Sequence, residues 1–184
     1  MAAPSTAPST PRLAELVCAI REVVGLERSP GETARLVAEC VEPFLAQRDL
    51  LPPGCDEGDP ERYRQHLMHA EEDGSFSVVA LVWHPGQATP IHDHVAWCVT
   101  GVYRGVETER QYEVRGAGPE ARLVPVADTV NGTGSTCGFA PPGDIHLVRN
   151  GGAEKAISIH VYGGHIGRLG SSVRRVYTLP IADC

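Results

Sequence analysis

The feature that most constrains the fold is a series of short apolar segments between residues 75 and 163. Each segment is rich in β-branched and aromatic residues, and glycine, proline or asparagine separates it from the next. This pattern predicts β-strands joined by tight turns. The segments are residues 75–83, 94–105, 106–114, 121–130, 135–141, 144–150 and 155–163. Seven or eight strands at this rhythm predict a mostly β protein, built as a sandwich or a barrel.

The first third of the chain has a helical pattern instead. Apolar residues recur at helical spacing behind Thr10-Pro11, where threonine is a good N-cap and proline suits the first helical position. A second helix is predicted from Ser29-Pro30, and a third, short one from Asp59-Pro60. We expect these helices to form a cap on the β structure.

The amino terminus is typical of a disordered tail. Residues 1–11 are small, polar and proline-rich, without the basic and apolar segments of a signal peptide. One domain is expected over residues 12–184, with a helical cap at 12–72 and a barrel at 73–184. No apolar run reaches the roughly 18 residues that a membrane-spanning helix needs, so no membrane partner is expected.

Charge and cysteine content narrow the class of protein further. The net charge of -7 disfavours nucleic acid as a partner, because the phosphate backbone attracts basic proteins. The six cysteines include no CxxC pair. In a chain of this size they are expected to be free thiols, which predicts a cytoplasmic location.

His92 and His94 are candidate metal ligands. On a strand, residues two apart project from the same face, about 6.6 Å apart along the chain. Neutral imidazoles suit Fe, Zn, Cu and Ni, although an HxH pair alone is equally compatible with a hydrogen-bonded surface pair. Asp93 points to the opposite face, which favours a supporting role over ligation.

Two longer stretches resemble the conserved motifs of the cupin superfamily. "GQATPIHDHVAWCVTGVYRG" (86–105) resembles the first motif, with Cys98 where cupins usually carry a glutamate ligand. "PPGDIHLVRN" (141–150) matches the second motif, PxGxxHxxxN, which implies that His146 is the third ligand. The resemblance implies a metal-binding double-stranded β-helix, or jelly-roll, barrel with the N-terminal helical cap.

The missing glutamate bears on the chemistry of the site. Three neutral histidines leave a divalent ion its full charge, whereas a carboxylate ligand would cancel part of it. Such a site suits an anionic ligand from the substrate, such as a thiolate, beside an open position for dioxygen.

Ser158, His160 and Tyr162 form a second constellation in "AISIHVYGG" (156–164). On a strand all three point to one face. In a core they would all need partners, and a relay from serine through histidine to the tyrosine hydroxyl supplies them. The alternative is an exposed strand face with ordinary polar residues.

Together these features resemble the thiol dioxygenase branch of the cupins, which includes cysteine dioxygenase and the bacterial mercaptopropionate dioxygenases. The nearest likeness is to the mercaptopropionate type, and it lies in "DPERYRQHLMH" (59–69), "FSVVALVWHPGQATPIHDH" (76–94) and "ISIHVYG" (157–163). The resemblance implies Fe(2+) as cofactor, a small thiol and O2 as substrates, and a sulfinate product. It also implies that Tyr162, His160 and Ser158 act in catalysis and that Gln65 binds substrate.

The sequence departs from this branch around the substrate. Cys98 replaces the glycine that is common in bacterial members, and we hypothesise a thioether cross-link between Cys98 and Tyr162; a buried thiol packing near the metal is the alternative. His165 and His66 replace family residues near the site. The segment "RLGSSVRR" follows "IG", so a carboxylate-binding arginine would be Arg168, Arg174 or Arg175, and each is equally compatible with a solvated surface charge.

The sequence therefore predicts a non-haem iron(II) thiol dioxygenase of the 3-mercaptopropionate type, with Arg175 and Arg168 taken with Gln65 as substrate-binding residues. Cysteine, or a bulkier thiol or thione such as ergothioneine, are alternative substrates. A cupin isomerase or hydrolase using Zn or Mn, and a non-enzymatic sensor cupin, are alternatives of other classes. We expect a monomer or a small homo-oligomer.

Overall fold

The computed structural model describes residues 9–182. Most of the predicted N-terminal tail lies outside this range. Within it are three α-helices: α1 (Pro11–Val24), α2 (Pro30–Val41) and α3 (Ile166–Leu169). The strands are β1 (Arg64–Ala70), β2 (Ser77–Trp83), β3 (His92–His94), β4 (Cys98–Arg104), β5 (Val106–Arg115), β6 (Arg122–Gly132), β7 (Thr136–Phe139), β8 (His146–Asn150), β9 (Ala156–Tyr162) and β10 (Val173–Val176). No helix in the described part of the chain is long and apolar enough to span a membrane.

The first two predicted helices are confirmed, and local interactions fix where each begins. The side chain of Thr10 accepts a hydrogen bond from the Leu13 amide, and that of Ser29 accepts one from the Glu32 amide. Proline occupies the first position of both helices, where a missing N–H costs nothing. Both starts could therefore be predicted from a few adjacent residues.

The predicted third helix is wrong. The chain after Asp59-Pro60 turns and then forms strand β1, which pairs antiparallel with β2. The N-terminal helical segment consequently ends near residue 44, and residues 64–70 belong to the barrel rather than to the cap. Without β1, the backbone N–H and C=O groups along one edge of β2 would have no strand to pair with. Pairing with β2 outweighs the short helical pattern of this segment.

The strands form two five-stranded antiparallel sheets. One sheet has the order β1-β2-β9-β4-β7, and the other has the order β10-β3-β8-β5-β6. Most strands that are neighbours in a sheet are distant in sequence. Each sheet therefore contains strands from widely separated parts of the chain. The mostly β architecture with N-terminal helices agrees with the sequence prediction.

Strand β9 is buried on both faces, which explains its composition. Ile159 and Val161 face the helices and join the core that α1 and α2 complete. Tyr162 faces the barrel interior, where it packs with Val79 and Leu81 of β2. The alternation of a strand therefore places every polar side chain of β9 on the interior face.

Gly138 of β7 allows helix α2 to lie directly on the first sheet. A Cβ atom at this position would be 2.5 Å from the carbonyl oxygen of Ala34. Real carbon atoms do not approach backbone oxygen so closely, so a larger residue would push α2 away from the barrel. The five cysteines of the described residues are free thiols, as predicted: Cys18, Cys40, Cys55, Cys98 and Cys137.

Candidate metal centre

Three histidines from two strands converge at one point inside the barrel. His92 and His94 lie on β3, and His146 begins β8, where it pairs directly with His92. One ring nitrogen from each lies within 4.8 Å of the others. The ring centroids of His92 and His94 are 4.8 Å apart, and that of His146 is 4.8 Å and 5.0 Å from them. This spacing allows one ion to contact all three.

The Nδ1 atom of each ring is held by an oxygen acceptor. His92 Nδ1 bonds to the carbonyl oxygen of Pro90 at 2.9 Å, and His94 Nδ1 to Asp144 Oδ2 at 3.0 Å. His146 Nδ1 bonds to Glu109 Oε1 at 2.7 Å. Because these oxygens accept hydrogen bonds from Nδ1–H, the lone pair of each ring is left on Nε2, as metal-binding histidines require.

Burial keeps the rings of His92 and His94 neutral. Burial, together with the nearby His146 and His94 rings, lowers the pKa of His92 to about 4. Burial also lowers the pKa of His94, although Asp144 opposes this change. Three imidazole nitrogen donors with oriented rings fit a divalent metal of the iron or zinc type. Within the described residues, no carboxylate belongs to this ligand group.

The serine, histidine and tyrosine of β9 form a continuous hydrogen-bonded row. Tyr162 Oη lies 3.1 Å from His160 Nδ1, and His160 Nε2 lies 2.9 Å from Ser158 Oγ. The indole Nε1 of Trp83 donates to Ser158 Oγ at 3.1 Å. All of these side chains are buried. The row is therefore an interior relay, and an exposed strand face is excluded.

A small cavity brings the metal ligands and this row together. It has a volume of about 20 Å³, which leaves space for a few atoms beside the ring nitrogens. Gln65 lines this cavity and also a more open one of about 250 Å³ next to it. The residues lining the smaller cavity include Tyr63, Gln65, Leu81, His92, His94, His146, His160, Tyr162, Ser172 and Val173.

Strand geometry explains why Gln65 and not Arg64 reaches the cavity. Gln65 pairs with Leu81 of β2, which in turn pairs with Ser158 of β9, so the three lie in one row across the sheet. Adjacent residues of a strand point to opposite faces. Arg64 accordingly points outward, with its guanidinium 3.4 Å from a carboxylate oxygen of Glu57.

The arginines predicted to bind substrate lie outside this cavity. Arg175 stacks over the ring of Tyr177 at 4.7 Å, and Arg168 lines a separate surface cavity with His165. Arg174 bonds to the buried carboxylate of Asp93. The supporting role expected for Asp93 agrees with this contact, since it accepts from the arginine and stays out of the ligand group. A substrate-binding role for Arg175 or Arg168 stays a prediction, with no support from their positions.

Two histidines stand where the thiol dioxygenases that the sequence resembles carry other residues, and each is hydrogen-bonded to a nearby backbone group. His66 Nε2 bonds to the carbonyl oxygen of Glu57 at 2.8 Å. His165 precedes α3, and its Nδ1 accepts a hydrogen bond from the Arg168 amide at 3.2 Å. Neither contact reaches the three-histidine centre.

Sequence reasoning missed the acidic groups that hold the metal ligands. Asp144 precedes His146 by two residues and accepts from both the backbone N–H and the ring of His94. Glu107 and Glu109 alternate on β5 and are both buried. The two glutamates are two residues apart, so on a strand they share one face. The inward face of a barrel strand normally carries apolar residues, and glutamates at this spacing could have indicated a polar interior.

A family model for "Cysteine dioxygenase type I" matches residues 55–167, which is more than half of the chain. The matched range contains the three histidines and the whole serine–histidine–tyrosine row. The chain belongs to the cysteine dioxygenase type I family. Membership indicates a thiol dioxygenase, and the three-histidine site fits a non-haem metal. The resemblance predicted from sequence motifs is thereby confirmed.

Solved structures of several other proteins match parts of this chain at low identity. A protein of Thermus thermophilus is 22% identical, covering 59% of this chain and 89% of that one, with a TM-score of 0.43. An uncharacterized protein of Klebsiella pneumoniae with a double-stranded β-helix domain is 23% identical, covering 59% and 83%, with a TM-score of 0.45. A cupin domain of an Enterobacter cloacae transcriptional regulator is 14% identical, covering 54% and 93%, with a TM-score of 0.38.

Proposed function

We propose that this protein is a non-haem iron(II) thiol dioxygenase that adds both atoms of O2 to the sulfur of a small thiol, giving a sulfinate. The substrate we propose is of the 3-mercaptopropionate type. The observation that carries the proposal is the convergence of three imidazoles, with no carboxylate among them in the described residues.

The charge of this ligand set favours an anionic substrate. Neutral ligands leave a divalent ion with its full positive charge, and a thiolate would offset that charge. Iron(II) held by these rings would lower the pKa of a coordinating thiol and activate dioxygen at adjacent open positions. Burial of His92, His94 and His146 excludes bulk water and strengthens the attraction between metal and thiolate.

Tyr162 is proposed to act on the reacting atoms. Its side chain lines the cavity, and its hydroxyl is hydrogen-bonded to His160 Nδ1. Burial lowers the pKa of His160 to about 3 and raises the pKa of Tyr162 well above its ordinary value. Both groups are therefore neutral near pH 7, and the phenol is a hydrogen-bond donor or acceptor rather than a phenolate.

Gln65 is proposed to bind the far end of the substrate. Its side chain lines both the metal cavity and the wider opening next to it, a position suited to the carboxylate of a short mercapto acid. An amide N–H can donate to that carboxylate without adding charge. A small substrate is favoured because the inner cavity has room for only a few atoms beyond the ligands.

Cysteine is the second candidate substrate. The matching family model carries its name, and Cys98 is opposite Tyr162 on the paired strand β4. In the mammalian enzymes that this chain resembles, a cysteine at this position becomes joined to the tyrosine. The free cysteines of the described residues are consistent with the reducing cytoplasm in which we propose that the protein works.

Oxygen uptake by metal-defined protein tests the proposal. The protein is stripped of metal, reloaded with Fe(2+) or Zn(2+), and given 3-mercaptopropionate, cysteine, cysteamine or ergothioneine. We expect the iron form to consume one O2 per sulfinate formed, with the highest kcat/KM for 3-mercaptopropionate. The zinc form is the matched control and should consume none, because Zn(2+) has no redox chemistry. Iron-loaded protein that oxidises none of the four compounds would contradict the proposed function.

A further inference from the structure

The wider cavity beside the metal centre is lined almost entirely by apolar groups. This outer cavity has a volume of about 250 Å³, and it is bounded by Gln65, Leu67, Val79, Ile166, Gly167 and Gly170. Among these described residues, Gln65 contributes the one polar side chain, and none carries a charge. Binding sites for small molecules are typically apolar, with a few polar groups that fix the orientation of the ligand. The outer cavity has the composition of such a site.

Strand pairing places the outer cavity one side-chain spacing from the cavity at the metal ligands. Leu67 pairs with Val79 of β2, and Val79 pairs with His160 of β9. Leu67 is two residues from Gln65 on β1, so both share a face and lie about 6.6 Å apart along the strand. Gln65 and His160 also line the metal cavity. A ligand at the metal centre can therefore extend past Gln65 into the outer cavity.

A buried serine fixes the wall that α3 contributes to the outer cavity. Ser77 Oγ donates to the carbonyl oxygen of Gly164 at 2.7 Å and accepts from the Ile166 N–H at 3.0 Å. Ser77 is fully buried, so both bonds are shielded from water. The Ile166 side chain packs against the buried cluster that contains Val79. The cavity is therefore preformed, and a ligand that fills it pays little for ordering the protein.

Unsubstituted 3-mercaptopropionate would leave the outer cavity unfilled. With its sulfur at the metal and its carboxylate at Gln65, as proposed above, its three carbons end at the boundary between the two cavities. The carbon next to the carboxylate is the atom from which a further group would enter the outer cavity. An aliphatic cavity of about 150 Å³ can hold a benzene molecule, so the larger volume here has room for a phenyl group.

We propose that the substrate is a 3-mercaptopropionate with an apolar substituent on the carbon next to its carboxylate, and that Leu67, Val79 and Ile166 bind this substituent; the inference rests on the proposed dioxygenase function. Burying the substituent removes apolar surface from water, which strengthens binding about fourfold for each methylene. The substituent takes no part in the oxidation, in which both atoms of O2 are still added to sulfur.

The same wall disfavours cysteine as a substrate. The ammonium group of cysteine is attached to the carbon that would carry the apolar substituent, and it would face Leu67, Val79 and Ile166. No carboxylate is among the described residues that line the outer cavity. Burying an ammonium group without a partner is costly. An apolar group at this carbon should therefore be preferred to hydrogen, and hydrogen to an ammonium group.

Oxygen uptake by the iron-loaded wild type tests the inference. The substrates are 3-mercaptopropionate and its 2-methyl, 2-propyl and 2-benzyl derivatives. We expect kcat/KM to rise about fourfold for each added carbon up to the 2-propyl compound, and the 2-benzyl compound to exceed the unsubstituted acid. The gain should come from a lower KM with little change in kcat, because the substituent contacts the protein equally before and during the reaction.

Variants of the cavity wall identify where the substituent binds. Ile166→Ala and Leu67→Ala should each lower the ratio of kcat/KM for the 2-propyl compound to that for 3-mercaptopropionate about three- to tenfold. Both values come from one preparation, so a loss of folded or iron-loaded protein cancels from the ratio. Leu169→Ala is the matched control, because Leu169 is exposed on the same helix as Ile166 and lines a separate surface cavity. Its ratio should equal that of the wild type.

Calorimetric titration of the zinc-loaded protein provides a readout that needs no turnover. The Kd of the 2-propyl compound should be lower than that of 3-mercaptopropionate by the factor seen in KM, with a more negative heat-capacity change on binding. Equal Kd values, or an active wild type that gains nothing from the substituents, overturn the inference alone. So does a ratio that falls as far in Leu169→Ala as in Ile166→Ala. A wild type that oxidises none of the four thiols refutes the proposed function, and the inference falls with it.

Discussion

Cys98 lies directly opposite Tyr162 where strands β4 and β9 pair antiparallel. Side chains at such positions share a face of the sheet, with Cβ atoms about 4.5–5.5 Å apart. Both side chains are buried, and burial raises the pKa of each well above its ordinary value, so a neutral thiol faces a neutral phenol. The fold thus supplies the proximity that the hypothesised thioether cross-link needs.

We predict that aerobic turnover of the iron-loaded protein joins Cys98 to Tyr162. The bond forms between Sγ and a ring carbon, two hydrogens are lost, and O2 is the oxidant. Mass spectrometry of peptides should show this mass decrease after repeated turnover, and neither the anaerobic sample nor Cys98→Ser should show it. Finding unmodified peptides alone after many turnovers would rule the cross-link out and would leave Cys98 as a packing residue.

The Asp144 carboxylate should set metal affinity without touching the metal. Its Oδ2 accepts from both the backbone N–H and the ring Nδ1 of His94, each at 3.0 Å. Asp144→Asn weakens both bonds and removes the charge that supports the ring. We expect metal affinity to fall about 10- to 100-fold. Competition with a chelator measures it, and Glu113→Gln, on an exposed face, should bind like the wild type. Equal affinity in Asp144→Asn would contradict this role.

Gln65 should contribute to substrate binding, whereas its neighbour Arg64 should not. Only Gln65 lines the cavity, since Arg64 is directed toward Glu57. Gln65→Ala should raise KM for 3-mercaptopropionate about 10-fold with little change in kcat, because it removes a hydrogen bond to a charged group. Arg64→Ala is the matched control, and steady-state kinetics should leave its KM unchanged. The opposite result would mean that Arg64 turns inward in solution.

The metal-free protein should lose stability as the pH falls below about 6.5, in part through His160. Burial lowers its folded-state pKa to about 3 from the ordinary value of 6.5. Below pH 6.5 the unfolded chain binds a proton that the folded protein does not, which favours unfolding. Between pH 7 and pH 5 this single group should remove about 2 kcal/mol from the free energy of unfolding.

Denaturant unfolding of the metal-free protein at these two pH values measures the effect. His160→Gln keeps a neutral polar side chain, so its loss of stability over the same interval should be smaller by about that amount. Identical pH dependence in the wild type and in His160→Gln would show that the ring is protonated in the folded state.

The sequence by itself determined the features that depend on a few neighbouring residues. Thr10-Pro11 and Ser29-Pro30 begin helices because their caps bond to amides three residues away. His92 and His94 share a face because strand side chains alternate. The spacing of the second cupin motif identified His146 before any strand pairing was known, and the S-x-H-x-Y pattern identified the row on β9.

The tertiary structure decided what depends on contacts between distant segments. Residues 64–70 became a strand because β2 offered an edge to pair with, although their local pattern favoured a helix. The partners Asp144 and Glu109 acquired their roles only when β3, β5 and β8 came together around the histidines. No local pattern encodes these pairings, because they follow from which strands close the barrel.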